Sequence, residues 1–230
     1  MKIKYEFFFG NERLEVFDLK FKESDLSLQS FPVENTEPWT ALKFNQCRVC
    51  TLKATEHKYC PVARNLSYVL LQFKDDASYE KVRVKVTSEQ RVTEKEASLQ
   101  DGVSPLMGLI MATSGCPTLD KFKPMAFMHL PFSSRVETIF RAVSTYLTAQ
   151  YIREMNRLTP DWELKNFKDM YAKVKQLNRD FAKRLREIKG SDAVINALVR
   201  LDTFAQSGSY SFSEDWMKRL GPIFSAYLDK

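Results

Sequence analysis

Glycine and histidine are scarce in this chain of 230 residues, which has 7 Gly and 2 His. The glycine-rich phosphate-binding patterns G-x-x-x-x-G-K-[ST] and G-x-G-x-x-G do not occur. The nucleophile pattern G-x-S-x-G and the zinc-protease pattern H-E-x-x-H are also missing. These absences remove the commonest nucleotide-binding, hydrolase and metalloprotease interpretations, and the sequence favours a binding or regulatory protein over an enzyme.

Long apolar runs are absent as well. No stretch of about 18 apolar residues occurs, so the sequence predicts no membrane-spanning helix. Residues 1–6 alternate charged and apolar side chains and lack the apolar core of a signal peptide. We therefore expect a cytoplasmic protein, and in that reducing compartment cysteines more often bind metal or act in catalysis than form disulfides.

The four cysteines form the most unusual pattern in the chain. Cys47 and Cys50 stand in a C-x2-C pair, Cys60 follows nearby, and Cys116 lies more than fifty residues further on. A C-x2-C pair can direct two sulfurs into one tetrahedral site, and zinc is commonly bound by four thiolates. The sequence therefore predicts that Cys47, Cys50, Cys60 and Cys116 converge on one structural metal, with zinc as the favoured ion.

Three alternatives to zinc remain open at this stage. Cys-Pro occurs twice, at Cys60-Pro61 and Cys116-Pro117, and proline after a ligand cysteine is common around iron–sulfur clusters. Cys47 and Cys50 are also compatible with a redox dithiol in which Arg48 lowers a thiol pKa. The least specific interpretation is four unlinked buried thiols, because free cysteine packs as a small hydrophobe.

The two histidines are weaker candidates for a functional role. His57 lies between Cys50 and Cys60 and could replace one cysteine as a ligand, but its charged neighbours favour a solvated loop position. His129 lies in the apolar stretch 127–131, which favours a buried histidine over a general base acting near Cys116.

The periodicity of the chain predicts an α+β protein. Alternating apolar residues predict strands over 3–9, 17–21 and 82–86, with further strands at 39–44 and 68–73. An apolar helix is predicted to begin at Ser104-Pro105 and to be buried. From the capping box of Ser134 and Glu137 onward the pattern predicts a bundle of about four helices. We divide the chain into a β-rich part at 1–132, which carries the cysteines, and a helical part at 133–230.

The second helix of the bundle, predicted over 160–190 with Thr159 as its cap, is basic. It carries nine basic residues against five acidic ones, within a chain of net charge +6. Such a face could bind nucleic acid through Lys175, Arg179 and Lys183, although a basic face laced with pairs such as Asp180–Arg184 is more often simply solvated. The sequence does not identify the protein or small-molecule ligand, and the length of this helix leaves a homodimer open.

Overall fold

Four antiparallel strands form the N-terminal part of the chain in the order β2-β1-β3-β4. They are β1 (Lys2–Phe9), β2 (Leu14–Lys20), β3 (Lys81–Ser88) and β4 (Val92–Ser98). The structure is a computed structural model that describes residues 1–29, 37–210, 218 and 220–228, with side chains omitted over 204–210. Within these residues the last strand ends at Ser98 and helices follow, so the predicted α+β class is confirmed.

The sheet buries one face against helices α1 (Pro61–Gln72) and α2 (Leu99–Thr113). Alternate residues of each strand point to the same face, and Tyr5, Phe7, Phe17 and Val84 are fully buried there. The ring of Phe73, at the end of α1, stacks edge-on against Phe7 with 5.0 Å between the centroids. The hairpin prediction for β1 and β2 is confirmed, with Tyr5 opposite Phe17.

The two strands predicted on either side of the cysteine loop are wrong. Residues 68–72 belong to α1 and Phe73 is its C-cap; the helix begins at Cys60-Pro61, and its apolar residues are spaced by three and four. A buried strand and a buried helix can both contain a short apolar run, so the periodicity of such a run does not tell which of the two it forms. Residues 38–40 form a short 3-10 helix, and of the stretch 39–44 Ala41 makes an isolated bridge to Tyr59.

Helix α2 is buried as predicted, but it begins at Leu99 and not at Ser104-Pro105. Pro105 lies inside the helix, where it cannot donate to the carbonyl of Asp101 four residues earlier. Strand β4 was not predicted, because its residues 92–98 are mostly polar and exposed at the edge of the sheet. Backbone pairing with β3 makes it a regular strand, although its side-chain pattern does not indicate one.

The C-terminal part contains α4 (Arg135–Met155), α5 (Lys165–Arg186) and α6 (Asp192–Tyr210), after a short α3 (Lys123–Phe127). The predicted capping box of Ser134 and Glu137 is confirmed. Helix α5 packs along α6, and α6 packs against α2. Helix α5 has one apolar face, on which Phe167, Leu177, Phe181 and Leu185 are buried.

The start of α5 differs from the prediction. Helix α5 begins at Lys165 and not at Pro160, because the carboxylate of Asp161 accepts the N–H groups of Lys165 and Asn166. Helix α4 buries Ile139 and Val143 but leaves exposed the residues Val136, Phe140, Tyr151 and Met155. The long contact of α5 is made with α6, whereas its approach to α4 is marked by Tyr146 and Phe167, whose ring centroids lie 5.0 Å apart.

The predicted bundle of about four helices is not confirmed. The last helix of this bundle is expected over 214–228. Residues 214–217 and 219 lie outside the described residues. From Gly221 onward the chain forms turns and a 3-10 helix at Ser225–Tyr227. A hydrophobic core runs through both parts of the chain, from Ile3 in β1 to Leu198 in α6. The division at residue 132 stays a prediction.

Candidate functional site

The cysteine-bearing loop is closed at its base by two backbone hydrogen bonds. The N–H of Leu42 donates to the carbonyl of Lys58 at 3.0 Å, and the N–H of Cys60 donates to the carbonyl of Thr40 at 2.8 Å. Within the loop, the N–H of Cys50 donates to the carbonyl of Cys47 at 2.9 Å, which forms the tight turn of the C-x2-C pair. These bonds hold the first three cysteines on one closed loop.

The four cysteines line one small cavity of about 20 Å³. Leu177 and Phe181 of α5 complete its wall, together with Leu52 and Val62. Cys60 and Cys116 are buried, Cys47 and Cys50 are half-buried, and all four are free thiols. Among the residues that the structure describes, no group of three or more His, Cys, Asp or Glu side chains has the arrangement of a metal site. Joint metal binding by the four therefore stays a prediction.

The two Cys-Pro pairs have similar local structures. Cys60 precedes the first turn of α1, and Cys116 begins a turn in which its carbonyl accepts the N–H groups of Leu119 and Asp120. Burial raises the pKa of Cys60, while the backbone N–H groups of Ala63 and Val62 act to lower it.

Cys116 has the same pattern of neighbours. Burial raises the pKa of Cys116 to about 11, while the backbone N–H groups of Leu119 and Thr118 act to lower it. In each pair proline carries no N–H, and the next two residues present theirs to the sulfur.

Cys47 lacks the features of a reactive dithiol. Burial raises its pKa to about 12, and the nearby thiol of Cys60 adds to the rise. A thiol that remains protonated is a poor nucleophile, because the thiolate is the reactive form. Arg48, which the sequence suggested as the activating cation, is bonded to Asp180, and the cation that acts to lower the Cys47 pKa is Arg184.

Arg184 of α5 is a buried cation beside the cysteines. It is 1% exposed, and its Nη1 donates to the carbonyls of Trp39 and Ala41 at 2.6 and 2.8 Å. Its Nη2 donates to the carbonyl of Leu42 at 3.2 Å. Burial lowers the pKa of Arg184, whereas the thiols of Cys60, Cys47 and Cys50 act to raise it. Among the described residues Arg184 forms no ion pair, so the predicted Asp180–Arg184 pair is wrong.

Asp180, one turn before Arg184, holds the C-x2-C turn from outside. Its carboxylate accepts the backbone N–H of Arg48 at 3.0 Å, the Arg48 guanidinium at 3.3 Å and the amide of Gln176 at 3.0 Å. Burial acts to raise the pKa of Asp180, but the hydrogen bonds from Arg48 and Gln176 hold it below its ordinary value. Helix α5 thus fixes the loop through two side chains that sequence analysis placed on a solvated face.

The remaining candidates lie away from the small cavity. His57 is exposed, as its charged neighbours predicted. His129 is half-buried and its Nε2 lies 2.6 Å from the hydroxyl of Tyr5, so its described partner is Tyr5 and not Cys116. On α5, Arg179 and Lys183 are exposed and Lys175 is half-buried. Nucleic-acid binding through these three residues stays a prediction.

Sequence analysis missed the role of Arg184, although a signal was present. Position 184 lies seven residues after Leu177 and three after Phe181, both of which are buried. Residues at these spacings share one helix face. A basic residue on the apolar face of an amphipathic helix indicates a buried cation, and such a cation requires hydrogen-bond or charge partners.

The sheet and the helices described above match a known protein family. The family described as Domain of unknown function (DUF6901) matches residues 3–225. The chain belongs to this family. The match covers both the sheet and the helices, so the cysteine loop, α2 and α5 all lie within the DUF6901 domain. No curated protein and no solved structure matches the chain.

Within the described part of the chain, no helix is both long enough and apolar enough to cross a bilayer.

Proposed function

We propose that this protein is a metal-stapled binding or regulatory protein, in which Cys47, Cys50, Cys60 and Cys116 bind one zinc ion. The observation that carries the proposal is the small cavity lined by all four cysteines. Three of these residues come from one closed loop and the fourth follows α2, so a bound ion would tie the loop to the helical core.

The volume of the cavity favours a single ion over the alternatives. A space of about 20 Å³ holds about one water molecule or one ion. An organic substrate does not fit, and a cluster of several iron and sulfide atoms needs more room than one ion. Water is a poor occupant because it needs two to four polar partners, whereas thiols and apolar side chains make up most of this wall.

The buried charge of Arg184 supports thiolate ligands. Arginine stays protonated in proteins, and a buried cation without a counterion is costly. Its hydrogen bonds go to neutral carbonyls, and no carboxylate among the described residues pairs with it. Zinc bound by four thiolates carries a net charge of about −2. Such a centre would supply the counterion that Arg184 lacks.

The backbone around the cysteines also favours negatively charged sulfur ligands. N–H groups beside Cys60 and Cys116 act on both sulfurs in the direction that favours thiolate. Hydrogen bonds from backbone amides to a charged acceptor are stronger than those to a neutral one. Metal binding requires rearrangement of the side chains from the arrangement described above, because the four cysteines do not yet have metal-site geometry.

The test is the metal content of anaerobically purified protein, measured by mass spectrometry with a visible absorption spectrum. We expect about one zinc per chain and no colour. Cys116→Ser and Cys60→Ser should each lose the zinc and lower the melting temperature. Val86→Ala is the matched control, because it weakens the sheet core far from the loop and should keep the zinc.

Three outcomes would contradict the proposal. Visible absorption together with bound iron and sulfide would show that an iron–sulfur cluster, and not zinc, occupies the site. Metal-free protein whose stability is unchanged by added zinc would leave four unlinked thiols. Zinc retained in full by Cys116→Ser would remove the fourth ligand from the site.

A further inference from the structure

A second and much larger cavity lies among the helices. Its volume is about 480 Å³, within the range of about 300–1,000 Å³ that is usual for small-molecule sites. It shares no lining residue with the cavity of the cysteines. Most of its wall is apolar and comes from α2, α4, α5, α6 and the segment between α2 and α4. Its main apolar residues are Leu109, Phe122, Met125, Ile139, Val174 and Leu201.

The charged groups of this wall are mostly cationic. Lys95, Arg141 and Arg200 line it together with one carboxylate, that of Asp101. Arg200 forms an ion pair with Asp101, so this carboxylate is already paired with a cation. Lys95 is exposed, and its Nζ lies 5.8 Å from the ring centroid of Phe132. Arg141 is therefore the half-buried cation of the cavity that lacks an acidic partner among the described residues.

The guanidinium of Arg141 is held in place but only partly used. Its Nη2 donates to the carbonyls of Met125 and Met128 at 2.8 and 2.6 Å. The Nε and Nη1 groups make no hydrogen bond with the residues that the structure describes. The nearest acid on the same helix, Glu137, is engaged by the backbone N–H of Ser134 at 2.7 Å. The three N–H donors on Nε and Nη1 thus have no partner among the described residues, on a side chain that lines the cavity.

Tyr171 of α5 supplies a further hydrogen-bond donor to the cavity that Arg141 lines. Its side chain is buried, lines the cavity and makes no hydrogen bond within the described part of the chain. Tyr171 and Arg141 line the same cavity, and the charge of Arg141 acts to lower the pKa of Tyr171, which burial raises. The hydroxyl stays protonated at neutral pH and can donate to an anion.

We infer that this cavity binds an amphipathic organic acid, with its carboxylate at Arg141 and Tyr171 and its apolar body among the helices. Arginine and a hydroxyl donor are suited to a carboxylate, which accepts at both oxygens. The apolar wall would bury a medium-length hydrocarbon or aromatic body. The inference rests on the proposal that the chain is a binding protein, but it does not depend on the metal.

Calorimetric titration of the full chain with octanoate and with 1-octanol tests the inference. The two probes share one hydrocarbon length and differ in charge. We expect octanoate to bind at least about tenfold more tightly, because charge-assisted hydrogen bonds to Arg141 are lost with the alcohol. Equal binding of both probes, or no binding of octanoate, would overturn the inference.

Variants locate the binding. Arg141→Gln should remove the preference for octanoate, whereas Arg153→Gln is the matched control. Arg153 lies on the same helix and donates to one carbonyl, that of Thr159, but does not line the cavity. Ala142→Phe should fill the cavity and abolish binding of both probes. Octanoate binding that survives both Arg141→Gln and Ala142→Phe would place the site elsewhere and refute the assignment.

Two further measurements keep the outcome clear. If near-ultraviolet circular dichroism shows that Arg141→Gln does not fold, Ala142→Phe and the octanoate–octanol comparison in the unaltered chain decide the question. Zinc content is measured on the same samples. Missing zinc with retained octanoate preference contradicts the metal proposal alone, whereas bound zinc with equal binding of both probes contradicts the cavity assignment alone.

Discussion

The carboxylate of Asp180 holds the backbone of Arg48, in the middle of the C-x2-C turn. The N–H of Arg48 donates to Oδ2 at 3.0 Å, and the Arg48 guanidinium lies at 3.3 Å from Oδ1. The two residues are separated by 132 positions in the chain. One carboxylate on α5 therefore fixes the orientation of the turn that carries Cys47 and Cys50.

Replacement of Asp180 by Ala should loosen the turn. Hydrogen bonds to a charged group contribute roughly 1.5–3 kcal/mol, so we expect the free energy of unfolding to fall by about 2 kcal/mol. If the cysteines bind zinc, the affinity should fall about 10- to 100-fold, as when an outer-shell partner is lost. Urea unfolding and competition with a chelator measure the two effects. Arg179→Ala, next in the chain and exposed, should change neither.

Replacement of Arg184 by Met should be more damaging. The buried carbonyls of Trp39 and Leu42 would lose the donor that Arg184 supplies, whereas the half-buried carbonyl of Ala41 still accepts the N–H of Phe44. We expect the free energy of unfolding to fall by about 3 kcal/mol, because each unsatisfied buried acceptor costs roughly 1–3 kcal/mol. Arg186→Met, on the exposed face of the same helix, should change it by less than about 0.5 kcal/mol. Equal values for the two variants would show that the buried hydrogen bonds contribute nothing net.

His129 should make stability depend on pH. Burial, aided by the charge of Arg141, lowers its pKa to about 3 from an ordinary value of 6.5. The folded chain therefore binds fewer protons than the unfolded chain between these values, and stability falls as pH falls below 6.5. Between pH 7 and pH 5 we expect a loss of about 2 kcal/mol from this residue.

The comparison for His129 is with a variant that cannot titrate. His129→Gln keeps an acceptor for the Tyr5 hydroxyl and should lose this part of the pH dependence. His57→Gln removes an exposed histidine and should leave the dependence as it is in the unaltered chain. Urea unfolding at both pH values measures the difference, and parallel pH profiles for all three proteins would contradict the assignment.

Elements with a clear period were predicted from the sequence, and those that depend on long-range contact were not. Val82, Val84 and Val86 alternate, and α5 buries residues at spacings of three and four, so both elements were predicted. The run 68–73 has no decisive period, and its helix is determined by the start at Cys60-Pro61. Strand β4 is held in the sheet by its backbone pairing with β3, and its own residues show no alternating apolar pattern that would predict a strand.

For the candidate site, the sequence identified the cysteines but not the side chains that surround them. Spacing suggested that Cys47, Cys50, Cys60 and Cys116 belong together, and all four line one cavity. Asp180 and Arg184 lie on α5, more than sixty residues after Cys116, and their charge alone predicted a solvated face. Their roles depend on which side of α5 meets the loop, which is a property of tertiary packing.

The hypothesis of nucleic-acid binding by α5 has a direct test. If the helix binds a polyanion, retention on a heparin column should fall steeply with salt, because each phosphate-type contact releases counterions. Joint replacement of Lys175, Arg179 and Lys183 by Glu should then abolish retention. A matched triple reversal of Lys2, Lys20 and Lys81 in the sheet should have little effect. Unchanged retention in the α5 variant would leave the helix as a solvated face.

Gly102 marks the closest approach of α2 to the sheet. A Cβ atom at this position would lie 2.7 Å from a methyl carbon of Val84 and 2.9 Å from the ring of Phe7. Contacts this short require the helix to move away from the strands, because both neighbours are fully buried. Gly102→Ala should therefore destabilise the fold by about 1–3 kcal/mol, despite the better helix propensity of alanine. Gly10→Ala is the control, since a Cβ there meets nothing within 4 Å. Chemical denaturation of both variants measures the difference, and a Gly102→Ala protein as stable as the unaltered chain would mean that α2 does not pack this closely on the sheet.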